Sequence, residues 1–156
     1  MTTDEAGAAA LPEKASVAEA VAAWLHGVRA ASLPPAVLTM ARHLLLDVAG
    51  LCVAARGEDY VRATLAATDA GPCTALGHAG GLGGFDAALV NGTAAHGEDY
   101  DDTFEGGPVH SGAVIVPAVL AACEREGRGG AALLGGLVTG CELLCRMSLR
   151  TPKAIH

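Results

Sequence analysis

The sequence SLPPAVLTMARHLLLDVAGLCVAARG, residues 32–57, indicates the fold class of this chain. Its apolar residues recur every three or four positions, the period of one face of an α-helix. They are Val37, Ala41, Leu44, Leu45, Val48, Leu51 and Cys52. Pro34 and Pro35 suit the start of a helix, where the missing proline N–H costs no hydrogen bond, and Gly57 suits its C-terminal cap. The segment therefore predicts one long amphipathic helix.

The same period continues on both sides of this segment. Upstream, SVAEAVAAWLHGVRA predicts a helix in which Ser16 is the N-cap and Glu19, three residues later, completes a capping box. Downstream, we expect helices at residues 60–69, 85–97, 112–127 and 131–150. In the third of these, Pro117 either kinks the helix or marks a later start. The last helix is apolar nearly all round, which predicts that it is buried.

The glycine-rich stretch GPCTALGHAGGLGG, residues 71–84, interrupts the helical pattern. Within it, CTAL suggests a short extended piece, and the remainder reads as a flexible connector. A dinucleotide-binding loop is disfavoured, because a GxGxxG pattern begun at Gly81 places Asp86 at its last position and no GK[ST] follows. No set of strands with period-2 alternation is present. We therefore predict an all-α helical bundle, with residues 1–15 as a disordered lead-in and residues 16–156 as a partial helical domain.

Composition excludes several classes of function. The net charge of −7 opposes nucleic-acid binding, which needs a basic face. The five cysteines contain no CxxC pair, and an odd number of them is typical of free thiols in a reducing cytosol. The N-terminus lacks the basic and apolar regions of a signal peptide. The longest strongly apolar run, GAVIVPAVLAAC, is too short to span a bilayer. We expect a cytoplasmic protein with no membrane partner.

An acidic cluster stands out in NGTAAHGEDYDDTFEGGPVHSGAVIVP, residues 91–117. Five carboxylates lie between two histidines: Glu98, Asp99, Asp101, Asp102 and Glu105. His96 and Asp99 are three residues apart, so they share a helix face if the helix extends that far. One of the carboxylates should then point inward. His110 lies at the start of an apolar helix, a position that suits anion recognition by backbone N–H groups.

Three interpretations compete for this cluster. It could be a solvated turn with a hydrogen-bonded histidine. It could bind a metal, but an EF-hand fails because Phe104 occupies the position that requires glycine and His110 the position that requires glutamate. A magnesium–diphosphate site would lack nearby Lys and Arg residues. The third interpretation is acid–base chemistry, in which a carboxylate and an imidazole face each other across a substrate. We predict no metal site.

Four segments carry a resemblance to a known family: residues 33–58, 86–104, 110–127 and 140–149. In this order they resemble the N-terminal part of the MmgE/PrpD family, and NGxAAHxxDYDDT followed by a histidine before an apolar helix is the specific motif. The resemblance implies a helical domain paired with a smaller α/β domain, usually in a homodimer, with the active site between the domains. It also implies chemistry without a cofactor.

The implied reactions are dehydration, decarboxylation or epimerisation of small di- or tricarboxylates, all of which move a proton at a carbon next to a carboxylate. By motif position, the resemblance implies that Asp99 and His110 are catalytic. Asp102 and Thr103 match the end of the motif and would shape the substrate site, together with His96 and Ser111. Ser111 replaces a proline that is usual in the family, and we expect a mild effect because serine can cap a helix.

Family members are several-fold longer, and this sequence ends before the positions of a further histidine, a lysine and a tyrosine of the family's active site. We therefore expect a gene fragment, a subunit of a split enzyme, or a degenerate paralogue. The partners would be a small polycarboxylate and either a second copy or a chain that carries the remaining region. The alternative function is a catalytically silent scaffold that assembles with a partner through its apolar helices.

Overall fold

The computed structural model describes residues 15–150, and helices dominate it. The predicted all-α class is confirmed, because the only sheet in this range is one small hairpin. The elements are α1 Val17–Gly27, a 3₁₀ turn Ala30–Ser32, α2 Pro35–Ala55, α3 Asp59–Ala66, β1 Ala70–Thr74, β2 Gly81–Leu82, α4 Gly84–His96, α5 Ser111–Arg125 and α6 Gly130–Arg150. The predicted disordered lead-in falls almost entirely on residues 1–14, which lie outside the described residues.

The helix termini follow the local signals in the sequence. Ser16 Oγ accepts a hydrogen bond from Glu19 N at 3.2 Å, and Glu19 Oε2 accepts one from Ser16 N at 2.8 Å, which completes the predicted capping box. Helix α2 starts at Pro35 as expected, and its C-cap is Arg56, one residue before Gly57. Helix α5 begins six residues before Pro117, so this proline lies inside the helix and does not mark its start.

The glycine-rich stretch is an ordered hairpin, which corrects the prediction of a flexible connector. β1 pairs antiparallel with β2, with a register irregularity between Ala70 and Cys73. Asn91, on α4, anchors the segment that follows β1: its Oδ1 accepts from Leu76 N at 2.8 Å, and its Nδ2 donates to Thr74 O at 2.9 Å. These bonds satisfy backbone groups that the short hairpin leaves unpaired.

Helix α4 lies at the centre of the bundle and contacts α2, α3 and α5. Small side chains on the facing surfaces allow this close packing, which agrees with a sequence rich in alanine and poor in aromatic residues. The buried apolar residues of α4 and α5 include Ala87, Val90, Ala94, Ala95, Ala113 and Val116. Because α4 is central, its position fixes where its last residue, His96, lies on the surface of the bundle.

Helix α6 is less covered than its composition predicts. Only Leu137 and Ser148 are buried, so the prediction of a buried last helix is wrong within residues 15–150. The elements with the most contacts to α6 are α5, α2 and the 3₁₀ turn, and Arg146 of α6 lies 5.7 Å from the Trp24 ring of α1, yet part of the surface of α6 stays open. Large apolar side chains such as Met147 and Leu149 are therefore about half exposed, at 55% and 53%.

Two described helices, α2 and α6, are long and apolar enough to cross a membrane. The longest uninterrupted apolar run of the sequence did not predict this, because that run is too short to span a bilayer. Core helices of water-soluble domains meet the same criteria of length and composition. Both helices contact other helices of the bundle. The absence of a membrane partner stays a prediction.

Candidate active site

The loop that joins α4 to α5, residues 97–110, carries the acidic cluster. Its backbone folds on itself: Asp99 N donates to His96 O at 2.9 Å, and Phe104 N donates to Val109 O at 3.0 Å. Gly107 lies so close to α6 that a side-chain carbon at this position would overlap the Ser148 hydroxyl. Contacts with α6 thus fix the shape of a loop that has no regular secondary structure.

Asp101 is the carboxylate that points inward, and its side chain has no exposed surface. Its Oδ1 and Oδ2 lie 3.1 and 3.2 Å from His96 Nδ1, and its Oδ1 lies 3.3 Å from His110 Nδ1. The two imidazole rings have centroids 4.6 Å apart. The sequence pattern predicted one inward carboxylate but did not assign Asp101 to the site.

Asp99 occupies the outer side of the same cluster. Its Oδ1 lies 3.9 Å from His110 Nε2, and its side chain is 79% exposed. The condition under which His96 and Asp99 would share a helix face is not met, because α4 ends at His96 and Asp99 has a φ of 57°. Aspartate tolerates this left-handed conformation better than most residues, and such backbone outliers often lie at functional sites.

Asp102 and Ser111 stabilise the start of α5. Asp102 Oδ1 accepts from Gly112 N at 2.7 Å, and its Oδ2 accepts from Ser111 Oγ at 2.6 Å. The carboxylate therefore occupies one of the N-terminal N–H groups that the sequence suggested for an anionic substrate, that of Gly112. Asp102 thus bonds to both Ser111 and Gly112, and these bonds hold the first turn of α5, whose N-cap residue is His110.

A glycine is required next to this cap, which gives a stability prediction. A Cβ at position 112 would overlap Asp102 Oδ1 and would lie 2.8 Å from Leu44 Cδ1. We expect Gly112→Ala to lower the free energy of unfolding by about 1–3 kcal/mol, the usual range for overpacking. Urea denaturation followed by circular dichroism measures this change.

The matched control is Gly50→Ala, because a Cβ at position 50 of α2 meets no atom within 4 Å. This substitution should be neutral or should stabilise the chain by up to about 1 kcal/mol, since alanine favours helix. Equal effects of the two substitutions would contradict the close fit of Gly112 against Asp102.

Thr103 is exposed, and none of the hydrogen bonds found in residues 15–150 involves its side chain. Of the predicted site residues, the structure brings His96, Asp99 and His110 together with Asp101. Asp102 and Ser111 bond to each other at the start of α5. Thr103 lies outside the cluster.

An open cavity of about 720 Å³ lies beside the two histidines. Apart from Tyr60, Thr93 and the histidines, its lining is apolar or glycine, and residues 15–150 contribute no Lys or Arg side chain to it. Tyr60, which the sequence did not single out, donates a hydrogen bond to Glu98 Oε1 at 2.9 Å. Partial burial and this bond raise the pKa of Tyr60 to about 12, so the hydroxyl stays protonated at neutral pH.

The side chains of the cluster could also bind a metal ion. One ligand atom each from His96, Asp99, Asp101 and His110 lies within 4.8 Å of the others. Tetrahedral zinc, with bonds of about 2.0–2.1 Å, needs ligand atoms about 3.4 Å apart. The exposed Asp99 side chain would have to move inward to close such a site, so the group is not preorganised for zinc.

Three of the five cysteines have thiols that burial makes less acidic. Burial raises the pKa of the Cys141 thiol, which lies on α6, and of Cys52, on α2, to about 11. Burial raises the pKa of Cys145 as well. Because the thiolate is the reactive form, these three thiols are weak nucleophiles at neutral pH. The titratable side chains that meet at the site are carboxylates and imidazoles.

Comparison with known proteins identifies the relatives of this chain. Residues 19–155 match the family model described as the MmgE/PrpD N-terminal domain. The chain belongs to the MmgE/PrpD family. The matched range includes the whole loop that carries the acidic cluster and both histidines, so the candidate site lies within the MmgE/PrpD domain.

Curated relatives of this chain include proteins from two Aspergillus species. Cis-aconitate decarboxylase of Aspergillus terreus is 33% identical over 115 residues, which cover 71% of this chain and 24% of the relative. The cis-aconitate decarboxylase-like protein oryM of Aspergillus oryzae is 32% identical over 110 residues, 68% of this chain and 23% of that protein. The chain thus spans about a quarter of the length of these relatives. No solved structure matches it significantly.

Proposed function

We propose that this chain is the helical part of a cofactor-free lyase or isomerase that moves a proton next to a carboxylate of a small di- or tricarboxylic acid. The observation that carries the proposal is the position of Asp99 and His110, whose side chains approach to 3.9 Å beside the open cavity. Membership of the MmgE/PrpD family and the similarity to cis-aconitate decarboxylase support this class of reaction.

One pair of groups can serve dehydration, decarboxylation and epimerisation. In dehydration, a base removes the proton on carbon while an acid protonates the departing hydroxyl. In decarboxylation, carbon dioxide leaves, the electron pair stays on carbon, and an acid protonates that carbon. In epimerisation, the proton leaves one face and returns to the other. We assign proton transfer to Asp99, and assistance at the leaving group or the substrate carboxylate to His110.

The substrate carboxylates need cationic partners that the described residues do not provide, because no Lys or Arg side chain among residues 15–150 lines the cavity. We propose that these cations come from a second polypeptide or from protein outside this range, in a homodimer or a hetero-oligomer. Five free cysteines agree with a cytoplasmic location, which is also part of the proposal.

A panel experiment tests the function. The chain is purified together with any protein that co-purifies from its source cells, and is incubated with cis-aconitate and other small polycarboxylates in deuterated water. We expect deuterium at the carbon next to a carboxylate, or loss of water or carbon dioxide, with at least one substrate. If an assembly of native size neither incorporates deuterium into any of these substrates nor converts any of them, the proposal is overturned and a catalytically silent scaffold is favoured.

A further inference from the structure

Asp101 lies between the two histidines of the site and is enclosed by protein. Its side chain has 0% exposure, whereas those of His110, His96 and Asp99 have 27%, 53% and 79%. The family resemblance assigned roles to Asp99 and His110 and gave none to Asp101. A carboxylate is costly to bury without partners, so its contacts with two imidazoles need a physical explanation.

The nitrogen atoms that face Asp101 are the Nδ1 atoms of both rings. They lie 3.1 Å from Asp101 Oδ1 in His96 and 3.3 Å from the same oxygen in His110. An ionised carboxylate only accepts hydrogen bonds, so an imidazole nitrogen bonded to it must carry the proton. A neutral ring protonated at Nδ1 has an unprotonated Nε2, which is the atom that can accept a proton.

The two ring nitrogens of His110 face different carboxylates. Its Nδ1 is shut off from solvent and has no partner with full hydrogen-bond geometry, so the nearby Asp101 oxygen is the acceptor it can reach by a small rotation. Its Nε2 faces Asp99 at 3.9 Å, too far for a direct hydrogen bond. A substrate group or a water molecule beside this pair can hydrogen-bond to both Nε2 and the exposed carboxylate.

We propose that Asp101 is a positioning residue that holds His96 and His110 as Nδ1-protonated rings and thereby presents the unprotonated Nε2 of His110 to Asp99 and the substrate. The contact between the rings, with centroids 4.6 Å apart and planes tilted by 60°, limits the rotation of each ring. The use of this tautomer in catalysis rests on the proposed function, but the tautomer itself does not.

The tautomers can be read without any substrate. The chain is labelled with ¹⁵N-histidine, treated with a chelator, and recorded by long-range ¹H–¹⁵N NMR at a series of rising pH values until the ring signals stop changing. Signals are assigned with His96→Gln and His110→Gln. We expect Nδ1–H to predominate in both rings of the wild type. A His110 ring that is mainly Nε2–H would overturn the proposal, and this measurement requires no variant at position 101.

The variant Asp101→Asn tests whether Asp101 is the cause of the Nδ1–H tautomer. The amide keeps the shape of the side chain but can also donate, so we expect the preference for Nδ1–H to be lost at His110. Asp99→Asn, in the same loop but facing Nε2, is the control and should leave the Nδ1 signals unchanged. If Asp101 only anchors the loop, a folded Asp101→Asn variant would keep the wild-type tautomers, and the proposal would be wrong.

Turnover in the assembled enzyme separates this inference from the proposed function. We expect Asp101→Asn to lower kcat by up to about 10⁴-fold with little change in KM, as happens when the catalytic histidine of a serine protease takes the wrong tautomer. A wild-type chain with the expected tautomers but no activity on any polycarboxylate would contradict the proposed function and leave the positioning role of Asp101 intact.

Discussion

Replacement of His110 with alanine is expected to lower the turnover of the assembled enzyme by about 10²- to 10⁴-fold, the usual contribution of a general acid or base. The His110 ring lies between the buried Asp101 and the exposed Asp99. Its Nδ1 faces Asp101 and its Nε2 faces Asp99, so the ring is in contact with both carboxylates. Its side chain is 27% exposed, and its loss should leave the fold intact. The rate of substrate loss under saturating substrate measures the effect.

The companion variant at Asp99 should be asparagine. Asp99 has a φ of 57°, and asparagine tolerates this conformation as aspartate does, whereas alanine would add backbone strain. Asp99→Asn therefore removes the charge with little other change, and we expect a loss of turnover in the same range of about 10²- to 10⁴-fold.

The control for both is His26→Ala, because His26 is an exposed histidine in the last turn of α1. This variant should retain wild-type turnover. Activity that persists in both His110→Ala and Asp99→Asn would remove these residues from the mechanism, whatever reaction the assembly catalyses.

Replacement of Asn91 with alanine is expected to lower the free energy of unfolding by about 2–4 kcal/mol, since an unpaired buried backbone group costs about 1–3 kcal/mol. Asn91 is 1% exposed, and its amide satisfies Leu76 N and Thr74 O. Its removal leaves both groups without a partner and frees the hairpin from α4. Urea denaturation followed by circular dichroism gives the value.

Asn91→Asp distinguishes the lost hydrogen bonds from the lost volume. The introduced carboxyl keeps the shape and the acceptor for Leu76 N, but it cannot donate to Thr74 O when ionised. Burial should raise its pKa above that of the unfolded chain, so the folded state binds more protons and the destabilisation grows as pH rises from the unfolded pKa of about 4 to the raised pKa of the folded state. A pH-independent difference from the wild type would contradict this explanation.

The control is Thr93→Ala on the same helix. No hydrogen bond of the Thr93 side chain was found in the described part of the chain, so the change should stay within about 0.5 kcal/mol. If Thr93→Ala and Asn91→Ala destabilise the chain equally, the hydrogen bonds of Asn91 do not hold the hairpin against α4.

Local sequence was a good guide wherever short-range interactions decide the structure. The capping box of Ser16 and Glu19 and the apolar period of residues 37–52 predicted helices that the structure contains. The helix face that His96 and Asp99 would share in a longer helix does not form, because that spacing applies only within a helix and α4 ends at His96. The hairpin was missed because its anchor, Asn91, lies 15 and 17 residues from the groups it binds.

The sequence by itself determined the helical class, the family motif and the loop in which the acidic cluster lies. Only the tertiary structure decided which carboxylate turns inward, because four of the five acids are separated by at most one residue and the local pattern treats them alike. The close contact of Gly107 with Ser148 of α6 and the Asp102 cap on α5 fix the path of the loop. On that path Asp101 meets both histidines while Asp99 faces outward. Burial depends on residues far apart in the chain, and no local spacing encodes it.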